Sequence, residues 1–196
     1  MLGYTHLVYG IGSAMLFVNP GDRLGLLKAA AGGALGGMIC DVDTKPGRFL
    51  RDTLYSGEIA LGVAAVSIIL DWKMKTGICR YVLSHWGESS VLGLLGFSLC
   101  CVFGMLTKHR TFSHSLLALL LLSISLNAFC APIVLSFQIG FLSHLALDLL
   151  NKRDVFLLFP IPKGFKLNLF HSGKLANHIL LLLGTAGLIF LFWEKS

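Results

Sequence analysis

Two imidazoles and a guanidinium stand close together at His109, Arg110 and His114, in a short polar stretch with long apolar runs on either side. Ionisable groups at such a boundary usually face a protein interior, a cavity or a bound ion, because hydrocarbon offers them no partner. Further on, His144 and Asp148 are four residues apart and so share one helical face. That spacing can set a nitrogen and an oxygen around one metal. It equally suits a His–Asp hydrogen bond that staples helices, or a carboxylate that orients the imidazole from behind. Asp41 and Asp43 flank Val42 in a connection. They can turn toward one cation or divide the tasks of ligand and base, although an isolated D-x-D is as often a solvated loop and helix cap. His6, near the start of the first apolar run, is a further candidate ligand.

Imidazoles and carboxylates without a thiolate suit zinc, manganese or iron better than calcium, which prefers oxygen cages. An open position on such a metal polarises a phosphoryl oxygen and activates water. In that chemistry Asp41 or Asp43 is the candidate general base. Arg110 is the candidate phosphate ligand through its planar fork, with head-group anchoring as its plainer role. His109 and His114, five apart, suit a ligand on an incoming loop followed by one in the first helical turn, with Ser113 or Ser115 as the cap.

The elements that must position these groups are membrane helices. The chain has 196 residues, 55% hydrophobic and only 13% charged, against roughly 25% charged in a soluble domain. Its mean hydropathy is +0.78. The net charge of +6 is spread over short connections without a basic helix or an RNA-binding signature, which argues for anionic head groups and against nucleic acid. No cationic leader or cleavage pattern marks the first run, which reads as mature protein. None of Cys40, Cys79, Cys100, Cys101 and Cys130 forms a C-x-x-C pair, and they read as small apolar residues.

Apolar runs fall at about 5–18, 26–40, 58–72, 90–106, 115–135, 137–150 and 176–193. They predict an all-α, multi-pass bundle of about six to seven hydrophobic segments in one domain spanning 1–196. Some runs hold only about fifteen residues, roughly 22 Å of helix against a ~30 Å hydrocarbon core, so short or re-entrant segments are expected. The small residues of Gly32–Gly37 suit close helix packing. The connection 151–175, with Pro160 and Pro162, reads as a turn or irregular cap. If the runs alternate through the bilayer, His6, Asp41, Asp43, His109, His114, His144 and Asp148 all arrive at one face. That face carries ten of the 16 Lys/Arg and is therefore expected to be cytoplasmic. His85, His171 and His178 are left outside the ligand set.

The order Thr5-His6, then Asp41-Val42-Asp43, then His109-Arg110-Thr111-Phe112-Ser113-His114-Ser115, then Gly140-Phe141-Leu142-Ser143-His144 with Asp148 resembles the YdjM-like family of predicted membrane-bound metal-dependent hydrolases. The family pattern reads approximately T/G-H, L-P-D-I-D, H-R-G-x-T-H-S and G-x-x-S-H-x-x-x-D. This chain departs from it with Ile39-Cys40 before Asp41, and with Thr111 and Ser113 where Gly and Thr are usual. The resemblance extends remotely to the zinc phospholipase C and P1 nuclease group. It implies one or two metal ions, zinc first, held among the seven His and Asp residues above. It also implies hydrolysis of a phosphoester in a lipid or lipid-linked substrate at the surface of a bacterial inner membrane. Two other classes remain open: a metal-ion transporter using the same ligands for transit, with access from both faces, and a structural membrane protein whose His–Asp pairs bind no metal.

Overall fold

The computed structural model describes residues 3–43, 87–169 and 174–195, together with Ile69, Lys73 and Ser84. Most of the apolar run at 58–72, and with it Cys79, His85 and His171, lies outside the described residues. Within them the structure is helical, without a named strand: α1 (Gly3–Val18), α2 (Arg23–Ile39), α3 (Glu88–Leu106), α4 (Leu116–Cys130), α5 (Val134–Leu149) and α6 (Lys174–Lys195).

Local chemistry sets several of these boundaries. Asn19 adopts a left-handed φ of 48° and Pro20 follows it, so α1 stops there. Asp22 then caps α2, its carboxylate accepting from the Gly25 N–H at 2.9 Å. Ser115 caps α4 in the same way, accepting from Ala118 N–H at 3.1 Å. Ser113, the other candidate cap, is used elsewhere.

The apolar stretch 116–149 does not run straight through. A 3₁₀ turn at Ala131–Ile133, with Pro132 in its first positions, separates α4 from α5. Because His114 and His144 touch across 30 residues, the two helices double back as a hairpin. Its arms of 15 and 16 residues are each about 22–24 Å long; the first is shorter than the apolar run 115–135, because Pro132 ends the helix inside that run. By length and composition four described stretches could cross a membrane: Arg23–Asp43, Glu88–Leu106, Leu116–Leu149 and Asn177–Glu194. The chain is thus a helical membrane protein with four candidate spans among its described residues.

α2 packs closely against both α1 and α5, which also touch each other. A methyl group at Gly33 would sit 2.5 Å from the Gly10 carbonyl oxygen, and one at Gly37 2.6 Å from that of His6. Only glycine allows these backbones to meet. One apolar cluster, with Phe112, Leu122, Leu126, Phe137 and Phe141 fully or nearly buried, supports the α4–α5 hairpin. A second, around Met15, Leu26 and Ala29, receives Leu188 and Leu191 of α6. Cys40 is buried in the first cluster, and Cys100, Cys101 and Cys130 are half-buried free thiols, in keeping with their reading as apolar residues.

Candidate metal centre

Four chain segments end at one pole of this bundle and bring the polar residues with them. His6 comes from the first turns of α1, and Asp41 and Asp43 from a 3₁₀ turn, Cys40–Asp43, that extends α2. His109 and Arg110 lie on the connection after α3, His114 closes a second 3₁₀ turn, Phe112–His114, and His144 and Asp148 stand on α5. His114 therefore precedes α4 instead of occupying its first turn.

The inner part of the cluster is built from two rings held from behind. His144 Nδ1 is 2.8 Å from the carbonyl oxygen of Gly37, which can only accept, so Nδ1 carries the proton and Nε2 is bare. Ser113 donates its hydroxyl to Asp43 Oδ2, and the Ser113 hydroxyl oxygen in turn accepts from His114 Nδ1 at 2.9 Å. The Nε2 atoms of the two rings then face each other at 3.3 Å. Asp148 Oδ2 lies 3.3 Å from His114 Nε2 and 3.8 Å from His144 Nε2. Asp41 Oδ1 stands 3.9 Å from both. His6 stacks on His144 at 3.8 Å between ring centroids, with its Nε2 3.6 Å from Asp148 Oδ1. His6, His114, His144 and Asp148 are all essentially buried.

These residues fit a metal cation. Two groupings of this donor set have ligand atoms within reach of a common ion: His6, His144 and Asp148, and Asp41, His114 and His144. His6 Nδ1 is buried without a hydrogen-bond partner, so its ring lacks the full pairing expected of a structural histidine. Burial opposes charge on His114, yet Asp148 and Asp43 outweigh it and raise its pKa from 6.5 to about 9. The same field that draws a proton to this ring favours a cation beside it.

Asp43 and His109 form a separate, outer pair. Asp43 Oδ1 accepts from His109 Nδ1 at 2.6 Å, and Oδ2 accepts from the Arg110 backbone N–H at 2.9 Å as well as from Ser113. Asp41 and Asp43 diverge because residues two apart on a 3₁₀ turn point about 240° apart around its axis. One carboxylate reaches the rings, and the other organises the turn that carries them. Asp43, His109 and His114 also make a third grouping with metal-ligand spacing, through the opposite nitrogen of His114.

Arg110 sits at a left-handed φ of 67°, a conformation uncommon for a side-chain-bearing residue. Its N–H is held by Asp43, and its carbonyl accepts from Phe156 N–H at 3.1 Å. One terminal nitrogen donates to Asp148 Oδ1 at 2.9 Å and the other to the Arg153 carbonyl at 3.2 Å. Asn151 Nδ2 adds a contact to Asp148 Oδ1 at 3.3 Å. Oδ1 is thereby occupied by donors and Oδ2 is presented to the two rings. Sequence reasoning found neither Asn151 nor the Gly37 carbonyl. The position of Asn151, three residues beyond Asp148 and just past the end of α5, was the available signal for the first; a backbone acceptor leaves none.

Fold and site together define a multi-pass helical membrane protein that gathers a buried His/Asp cluster, competent for metal binding, at one pole. The chain belongs to the YdjM inner membrane protein family, whose pattern matches residues 1–195. Neither a curated protein nor a solved structure matches it.

Proposed function

We propose that this chain is a metal-dependent hydrolase of the inner membrane, cleaving a phosphoester in a lipid or lipid-linked substrate at head-group level. The observation that carries this reading is the pair of Nε2 atoms of His114 and His144, 3.3 Å apart, each on a ring whose Nδ1 is already engaged. Metal ligands are oriented in this way by partners on their far nitrogens. His6, Asp41, His114, His144 and Asp148 would hold one or two ions. Zinc is the leading candidate for this donor set, and when bound it supplies Lewis acidity toward the phosphoryl group.

The remaining work falls to the chain itself. The Asp41 side chain is 31% exposed while His6, His114, His144 and Asp148 are at most 2% exposed, so water and substrate reach Asp41 first. This makes Asp41 the general base, taking a proton at a carboxylate oxygen. Asp43, with both oxygens engaged, fixes His109 and the Arg110 turn. Arg110 orients Asp148 through one terminal nitrogen, a role that precedes any contact with phosphate.

A transporter would place its ligands near mid-membrane. Here the donors stand at helix ends, which supports chemistry at a surface. The deciding experiment is metal analysis of the purified protein, with a screen of phospholipids and other phosphoesters run on the same preparation. Bound metal with metal-dependent release of product is the expected result. Metal without turnover of any phosphoester would return the cluster to transport, and absence of metal would return it to structural stapling.

A further inference from the structure

The segment 151–169 crosses the pole of the bundle as an irregular strap. Its backbone is tied to the ends of the hairpin: Leu116 N–H donates to Leu157 O at 2.9 Å, Leu167 N–H to Leu149 O at 2.7 Å and Leu169 N–H to Leu150 O at 3.1 Å. Val155 and Phe165 pair to close it into a loop, and Val155 is fully buried beneath. The outer side of the strap has an unusual composition. Leu158, Ile161, Leu167 and Leu169 are 43%, 57%, 59% and 63% exposed. Exposed Lys152, Arg153, Lys163 and Lys166 stand among them, against the single carboxylate of Asp154, which Lys166 meets at 3.1 Å.

In water, four large apolar side chains on one loop would be an unfavourable surface. Beside the ends of a membrane-spanning hairpin they have a natural environment. Leucines enter the upper acyl region, while lysine and arginine reach back to phosphate on their flexible stems. The excess of cations selects anionic phospholipid over a neutral head group.

We propose that the strap 151–169 is an interfacial anchor, inserted into the head-group layer of the membrane and selective for anionic phospholipid. It abuts the reactive pole directly, because Phe156 N–H bonds the Arg110 carbonyl. Insertion therefore holds the cluster at the level of lipid phosphate. The anchor requires only that the chain is embedded in a bilayer, not that it hydrolyses anything.

The test uses the full chain reconstituted in vesicles of phosphatidylcholine with or without phosphatidylglycerol. Ile161→Cys and Leu167→Cys, each labelled with an environment-sensitive fluorophore, report depth, with the unsubstituted protein giving the background from its native cysteines. A blue-shifted emission, quenched more by lipid carrying a doxyl group near the head group than near the acyl terminus, is expected at both positions. Phosphatidylglycerol should increase that quenching, and Lys163→Gln combined with Lys166→Gln should remove the increase. Quenching by aqueous iodide with none by doxyl lipid, at both positions, would overturn the anchor. Equal insertion with and without phosphatidylglycerol would overturn its selectivity. Neither result depends on metal or turnover, so failure here is distinguishable from failure of the hydrolase reading.

Discussion

At the scale of single residues, the distinction between ligand and support rests on which atom faces which. His144 offers Nε2 to the cluster, so His144→Ala should remove a ligand and strip most of the metal from the purified protein. Asn151 offers only an amide to the far oxygen of Asp148. Asn151→Ala should therefore retain a metal site of about 10- to 100-fold weaker affinity, the usual consequence of losing an outer partner. Competition titration against a chromophoric chelator measures both, and unchanged metal content in the two variants would favour helix stapling. Arg110→Lys keeps the charge but loses the fork that spans Asp148 and the Arg153 carbonyl. Metal affinity should fall within the same range. At saturating metal, steady-state kinetics then separate the remaining roles: a kcat reduced roughly 100-fold, about 2.7 kcal/mol, would mean that Arg110 also meets the substrate in the transition state. Recovery of full kcat would confine it to holding Asp148. Spacing along the sequence made the seven His and Asp residues legible as one group. It could not divide them, because the direction of a side chain on a 3₁₀ turn and the nitrogen that an imidazole presents are settled by partners distant in sequence.

At the scale of elements, the cluster depends on how closely α2 approaches its neighbours. The run Gly32–Gly37 read plainly as a packing surface, and the structure gives that surface a second purpose. Gly37 lets α1 come near enough for His6 to reach Asp148, and its carbonyl fixes the tautomer of His144. A methyl group there would stand 2.6 Å from the His6 carbonyl oxygen, a contact between backbones that no rotamer change can relieve. Gly37→Ala should cost about 1–3 kcal/mol, as overpacking does, and weaken metal binding as α1 and α2 part. Gly12→Ala, where nothing lies within 4 Å of the added carbon, is the control and should leave both unchanged. Thermal unfolding in detergent, with metal titration on the same samples, measures the pair of effects; equal behaviour of the two variants would remove α2 from any part in shaping the site. The hairpin at 116–149 was harder to read. Hydropathy reports apolar length, and a turn of Ala131, Pro132 and Ile133 is nearly as apolar as the helices it joins. The runs 115–135 and 137–150 give two segments but keep Pro132 inside the first, so they place the break beyond the turn that Pro132 makes.

At the scale of the whole molecule, the chain is polarised. The start of α1, the end of α2, the connection before α4 and the end of α5 meet through polar contacts of 3.6 Å or less, so these four segment ends share one side of any bilayer that the hairpin enters. Alternation of apolar runs anticipated this convergence without any knowledge of the contacts, since a membrane permits a chain only two sides. The turn between α1 and α2, at Asn19–Asp22, belongs to the opposite pole. Lys108, Lys152, Arg153, Lys163 and Lys166 are exposed at the site pole, and basic connections are retained in the cytoplasm. The expected orientation therefore places the site pole, with Asp41–Asp43 and the strap 151–169, on the cytoplasmic face. Lys108→Cys and Lys163→Cys report on that pole and Gly21→Cys on the other, with a membrane-impermeant maleimide applied to intact spheroplasts and to inside-out vesicles. The two site-pole positions should be labelled above the native-cysteine background only in inside-out vesicles, and Gly21→Cys only in spheroplasts. A reversed pattern would move the His/Asp cluster to the periplasmic face and leave its geometry intact. Labelling of Lys108→Cys and Lys163→Cys from opposite sides would be more serious, because the strap that carries Lys163 is bonded through Phe156 to Arg110, two residues from Lys108. No bilayer can pass between those positions while that contact and the cluster beside it exist.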